Sequence, residues 1–181
     1  MNGRFFVVLD RDGTINEECT YLSDPEQVKL IAGAARALRQ LKGMGLGLVV
    51  VTNQSAVSRG FFDEARLELI HQRLCELLEA EGVHLDGIFF CPHKPEDDCS
   101  CRKPRVGLVK KAAAELGFDP RTSFVIGDKP CDIEMGRQVG ARTLLVRTGY
   151  GAQVEAEGAA RPDYVAEDLP EAARIIQRLL A

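Results

Sequence analysis

The chain contains no tryptophan and only three tyrosines, and aromatic residues make up just 6% of it. With no aromatic platform and no basic stripe, it lacks the usual means of stacking bases and tracking a nucleic-acid backbone. Charge of one sign is not in surplus either. The 23 Lys and Arg and 27 Asp and Glu residues leave a formal net charge of -4, so nothing draws the molecule broadly to nucleic acid or anionic lipid, and any anionic ligand must be held locally. Apolar runs such as Leu48–Val51 fall far short of the ~20 residues needed to cross a bilayer. Met1–Arg4 has none of the features of a secretory signal, which makes the cytoplasm the expected location. There is no internal repeat, low-complexity tract or linker. The expectation is one domain over residues 1–181, long enough to bury about 70% of its unfolded surface without a disulfide scaffold.

What is present is a regular alternation. Short apolar, β-branched runs at Phe5–Leu9, Leu46–Val51, Gly87–Cys91, Ser123–Ile126 and Thr143–Val146 read as five buried strands. Segments of helical period lie between and after them: Ala34–Leu41, Glu64–Ala80, Leu108–Leu116, Ile133–Val139 and Pro170–Leu180. This is the pattern of βαβ units around a parallel sheet, hence an α/β fold. Pro92–Arg105, rich in Pro, Asp and Cys, is the one stretch without periodicity.

In such sheets a ligand crevice lies beyond the carboxyl ends of the strands. The first strand ends in Asp10-Arg11-Asp12-Gly13-Thr14, and residues i and i+2 of an extended segment face the same way, roughly 6–7 Å apart. Two carboxylates so placed suit a nucleophile toward phosphorus paired with an acid/base for the leaving oxygen, although a lone Asp-X-Asp also serves as a plain turn. The second strand ends in Thr52-Asn53-Gln54-Ser55, a set of hydroxyl and amide donors for phosphate oxygens or for a helix cap. The fourth ends in Gly127-Asp128-Lys129-Pro130-Cys131-Asp132 and brings two more carboxylates to the same edge. Four acidic groups in one crevice repel one another unless a cation sits among them, which points to Mg²⁺ on oxygen ligands, with Lys103 as a further balancing charge.

Six cysteines could form three disulfides, but reducing cytosol disfavours this. Cys91, His93, Cys99 and Cys101 instead offer three thiolates and an imidazole within eleven positions, which matches a closed Cys₃His zinc site of structural type. Cys19, Cys75 and Cys131 read as ordinary residues. His71 and His84 have no partner at ligand spacing and receive no role.

The ordered set DRDGT at 10–14, TNQS at 52–55, CRKP at 101–104 and GDKxxD at 127–132 resembles the haloacid dehalogenase superfamily of aspartyl-phosphate phosphatases. Within it, the chain is similar to the D-glycero-D-manno-heptose-1,7-bisphosphate phosphatases from about Phe5 to Gly149. The resemblance implies a Rossmann-like, three-layer fold. It makes Asp10 the nucleophile and Asp12 the general acid/base, with Thr52 and Lys103 stabilising the transferring phosphoryl group. It assigns Mg²⁺ to Asp10, Asp128 and the backbone carbonyls of Asp12 and Lys129. It also implies that Arg11, Glu18, Cys19, Thr20, Tyr21, Asn53, Gln54, Ser55, Arg59, Arg102 and Lys129 line the substrate site together with the catalytic groups. Many relatives carry an inserted cap domain, but only about 35 residues separate Asp10 from the second strand, so no cap is expected. The zinc loop would then hold Arg102 and Lys103 over the crevice. The five residues between His93 and Cys99 are closer to histidinol-phosphate phosphatases, whereas TNQS followed by Arg59-Gly60, and the GDK lysine, are closer to the heptose enzymes. A second phosphate within reach of Arg59 and Arg102 favours a sugar bisphosphate losing its C7 phosphate. The remaining expectations are no nucleic-acid or membrane partner and a monomer.

Overall fold

The structure, a computed structural model, describes residues 4–181. Met1–Gly3, part of the stretch from which the lack of a secretory signal was read, lie outside the described residues. Six strands form one sheet: β1 Phe6–Leu9, β2 Gly47–Asn53, β3 Gly87–Cys91, β4 Phe124–Gly127, β5 Arg142–Val146 and β6 Tyr164–Ala166. Every pairing is parallel, in the order β3-β2-β1-β4-β5-β6. Helices α1 Ala34–Gly43, α2 Glu64–Ala80, α3 Gly107–Leu116, α4 Pro130–Gln138, α5 Gly151–Ala156 and α6 Leu169–Leu180 cover both faces.

The alternation within β1 shows why the sheet is covered twice. Val7 and Leu9 pack with α1, α2 and α6 side chains, including Leu38, Leu74 and Ile176, whereas Phe6 and Val8 pack with Val109 and Ala112 of α3 and Met135 of α4. A strand apolar at successive positions must bury both faces, and three layers follow. Asp63 caps α2 by accepting a hydrogen bond from the Arg66 backbone N–H at 2.8 Å, and Asp168 does the same for α6 through Glu171 at 2.9 Å.

Five strands were expected and six are found. At three residues β6 is too short to show alternation, and six-residue α5 is too short to show helical period. Between β1 and β2 stand only a 3₁₀ turn at Pro25–Gln27 and α1, so there is no cap domain among the described residues. Strand order reverses between β1 and β4, the two strands whose ends carry Asp10 and Asp128. The crevice of a doubly wound sheet lies at this point. No described helix is long and apolar enough to cross a membrane.

Candidate active site

The backbone N–H of Asp10 still donates to the Ile126 carbonyl of β4 at 3.0 Å, so the first carboxylate is fixed by the sheet itself. The chain then turns at Gly13, where φ is 81° and an added Cβ would overlap the Asp128 carboxylate. Gly149, at φ 57°, lies against Gly13 and meets the same Asp128 oxygen with the same restriction. Two glycines, packed against each other, thus bring backbone against one oxygen of the same buried acid.

Lys103 reaches into the crevice from the cysteine loop with 4% of its surface exposed. Its Nζ donates to Asp10 Oδ1 at 2.9 Å, to Asp132 Oδ1 at 2.6 Å and to the Val51 carbonyl at 2.7 Å. Burial disfavours the ammonium, but the charges of Asp10 and Asp132 outweigh it and raise the lysine well above its ordinary range. The Asn53 side chain pins the Lys103 backbone on both sides, donating to its carbonyl at 3.1 Å and accepting from its N–H at 3.0 Å. Asp132 also accepts from the Lys129 N–H at 3.1 Å, capping α4.

Asp128 is fully buried. One of its oxygens accepts from the Tyr150 N–H at 2.9 Å, and the other, Oδ1, has no hydrogen-bond partner. Burial and repulsion from Asp10 push its carboxyl up to about 8. Lys129 extends its ammonium toward the same point, 2.8 Å from Glu18 Oε2, 3.9 Å from Asp10 Oδ2 and 4.0 Å from Asp128 Oδ1.

Asp12 is held differently. Arg11 Nε donates to its Oδ1 at 3.1 Å and Nη2 to its Oδ2 at 2.8 Å, Asn16 donates at 2.8 Å, and Gln54 Nε2 donates at 2.9 Å. Burial raises the Asp12 carboxyl, but the Arg11 charge and these four hydrogen bonds more than reverse it, so the group rests below the usual carboxylate range. Gln54 also donates to Thr52 Oγ1 at 2.9 Å and accepts from Arg11 at 3.1 Å. The crevice opens into a cavity of about 210 Å³ bounded by Asp12, Glu18, Cys19, Thr20, Tyr21, Asn53, Gln54, Ser55, Lys129 and Tyr150.

A family model described as "HAD-hyrolase-like" matches residues 100–172. A D-glycero-β-D-manno-heptose-1,7-bisphosphate 7-phosphatase of Haemophilus influenzae is 41% identical, with 96% of this chain and 97% of the relative covered. That of Escherichia coli K12 is 40% identical over 95% of each. The chain belongs to this phosphatase family. Among solved structures, D,D-heptose 1,7-bisphosphate phosphatase from B. bronchiseptica, complexed with magnesium and phosphate, superimposes with a TM-score of 0.91 at 33% identity, covering 97% of this chain and 99% of that one.

The fold gathers the residues that the family resemblance singled out, with four departures. Arg102, expected over the crevice, turns back to donate to the His93 carbonyl at 3.0 Å and stays with the cysteine loop. Arg59 is exposed and is not part of the cavity wall. Lys129, expected both to line the substrate site and to offer its carbonyl to Mg²⁺, borders the cavity but gives that carbonyl to the Asp132 N–H at 3.1 Å and turns its ammonium into the site. Arg11 is 1% exposed and faces Asp12 and Gln54 instead of the cavity. Sequence reasoning missed three partnerships. Asp132 anchors Lys103, and its position in GDKxxD was the available signal. Asn16 and Tyr150 have contacts visible only in three dimensions.

Both ligand clusters fit a cation. One carboxylate oxygen from each of Asp10, Asp128 and Asp132 lies within 4.8 Å of the others, a hard-donor set in which Asp128 keeps one oxygen, Oδ1, without a hydrogen-bond partner. In the cysteine loop the Sγ atoms of Cys91, Cys99 and Cys101 are 3.1–3.5 Å apart, with His93 Nδ1 at 3.3 Å from Cys101 and 3.5 Å from Cys91. Those distances are far beyond a disulfide and close to the ~3.7 Å edge of a tetrahedron built on ~2.3 Å metal–sulfur bonds.

Proposed function

We propose that the protein is a Mg²⁺-dependent phosphatase that removes the C7 phosphate of D-glycero-β-D-manno-heptose 1,7-bisphosphate. The observation that carries this reading is the pairing of a Lys103-bonded Asp10 with an Arg11-clamped Asp12 at the sheet's reversal point, in a chain 40% identical over 95% of its length to enzymes named for that reaction. The same similarity speaks against histidinol phosphate despite the short cysteine loop. Residues 1–181 act as one catalytic unit in this reading.

An Asp10 oxygen attacks phosphorus, the bond from phosphorus to the C7 oxygen breaks, and the leaving oxygen takes a proton from Asp12. Because Asp12 rests ionised, its proton must arrive with the substrate phosphate, whose negative charge raises the carboxyl's proton affinity as it enters. Asp12 then draws a proton from water, whose oxygen attacks the aspartyl phosphate, and inorganic phosphate leaves with Asp10 restored. Lys103 and Thr52 meet the phosphoryl oxygens. Asp10, Asp128 and the carbonyl of Asp12 would hold Mg²⁺, which offsets the repulsion among these acids and the incoming phosphate. Lys129 adds charge beside them and orients Glu18. The loop Glu18–Tyr21 and Ser55 line the sugar. Arg102 exchanges the His93 carbonyl for an oxygen of the C1 phosphate, and Arg59 offers a second cation at the rim. Cys91, His93, Cys99 and Cys101 would bind structural Zn²⁺ and so fix the backbone that presents Lys103.

The test is phosphate release from the heptose bisphosphate and from histidinol phosphate, with phosphorus NMR of the product. Heptose 1-phosphate formed with the higher kcat/KM supports the reading, whereas preference for histidinol phosphate overturns it.

A further inference from the structure

Among the buried polar atoms without a protein partner are Thr14 Oγ1 and Asn16 Oδ1, on the loop that follows Asp12, and Arg11 Nη1 and His71 Nε2, the last two near enough for the Arg11 charge to act on the imidazole. His71 lies on α2 at 4% exposure, on the face that buries Leu67, Ile70 and Leu74, and its ring packs 5.6 Å from that of Phe90. An apolar side chain would satisfy that packing, and a buried imidazole nitrogen is costly unless it is bonded. Arg11 has used Nε and Nη2 on Asp12 and Gln54, which leaves Nη1 as a donor in an interior with no carboxylate to receive it. An arginine can only donate, whereas a neutral imidazole with its proton on Nδ1 accepts at Nε2, so the two orphaned atoms are chemically complementary.

We propose that His71 is a positioning residue that accepts from Arg11 Nη1 through one buried water, and thereby fixes the guanidinium plane that aims Asp12. Held by Asp12 on one edge, Gln54 at a corner and His71 at the remaining nitrogen, the planar fork has no free rotation, and the carboxylate it grips bidentately inherits that orientation. The neutral state this needs is the one the surroundings enforce, since burial first and the Arg11 charge second depress the imidazole to about 3. The proposal rests on Asp12 being the acid/base of the phosphatase reading.

Two measurements test it. Long-range ¹H–¹⁵N correlation spectra of the intact protein report the His71 tautomer without reference to any substrate. The neutral Nδ1–H form supports the proposal, and either the Nε2–H form or an imidazolium at neutral pH overturns it. In kinetics, His71→Leu removes the acceptor and His71→Gln keeps one. The Leu variant should lose about tenfold in kcat on the sugar bisphosphate with KM within about twofold, because the groups that bind phosphate are untouched, and the Gln variant should recover most of the loss. Arg11→Met should mask the effect, the double variant with His71→Leu turning over no more slowly than Arg11→Met alone. Equal losses in Leu and Gln variants, a loss confined to KM, or full additivity with Arg11→Met would show that His71 only packs. Should the wild type fail to hydrolyse the bisphosphate, the phosphatase reading falls, while the tautomer result still judges the contact between His71 and Arg11.

Discussion

The two ligand clusters sit two residues apart in sequence, Cys101 in one and Lys103 in the other, yet they differ in almost every physical respect. The cysteine loop turns three sulfurs and a nitrogen toward one another, with Cys91 buried and the other three half-buried. The crevice gathers hard oxygens that are nearly or fully buried, among two lysines whose charges only partly offset them. The first arrangement suits a soft ion held for good, the second an exchangeable ion and a passing phosphate. Donor type and closure therefore divide the labour, and the short Cys101-Arg102-Lys103 link lets the static cluster place a group of the reactive one.

The comparison breaks most sharply at Asp10. Asp10→Asn should lower phosphatase turnover by about a thousandfold or more while the melting temperature moves by only a few degrees, since Lys103 keeps Asp132 as a partner. Steady-state rates and a thermal melt check both, and retention of a tenth of the activity would refute the assignment. The next effect belongs to the loop. Cys99→Ser should reduce bound zinc below one per chain, lower the melting temperature by roughly 5 °C or more and cost about tenfold in kcat through the displaced Lys103. Metal analysis with a melt and an assay decides it, and an unchanged protein would mean the cluster is incidental.

A third expectation concerns pH. Without divalent cation Asp128 titrates at about 8 and Asp132, raised by burial, at about 6, both above their unfolded value of 3.8. Their contribution is full below about 4 and is lost as pH rises through 6 and then 8, because the native state must then hold mutually repelling carboxylates. The metal-free protein should therefore melt at falling temperature between pH 5 and 8, and added Mg²⁺ should flatten that slope. A melt that is insensitive to Mg²⁺ at pH 8 would contradict the crevice as the metal site. The smallest effect is expected of Arg102, which starts from a bond to the loop. Arg102→Ala should raise KM for the sugar bisphosphate by about tenfold and leave a small monophosphate such as p-nitrophenyl phosphate unchanged. Equal changes on both substrates would assign it to loop structure.

Five of the six strands and the helices α1, α2, α3, α4 and α6 could be read from the sequence because burial on two faces writes itself as apolar runs, and amphipathic packing as helical period. Short α5 and β6 leave no such trace. Asp10, Asp12, Thr52 and Asp128 were legible because strand ends announce themselves by an abrupt change from apolar to polar, and Lys103 because it follows the cysteine cluster in the CRKP motif. The direction of Arg102 was not, since a long flexible side chain beside an anchored backbone can face either way, and the His93 carbonyl that receives it has no signature. Nor was the clamp on Asp12. Arg11 lies between two acids and was expected in the substrate lining, and only the fold shows that it is buried against Asp12 and Gln54.

The central claim, that Asp10 carries the phosphoryl group, is tested most directly by rapid acid quench of a single turnover followed by mass spectrometry of the peptide containing residues 10–12. Phosphate on Asp10, transient in the wild type and accumulating in Asp12→Asn, is the predicted result. Absence of a phosphorylated peptide in both proteins while phosphate is released would contradict it and require direct attack by water.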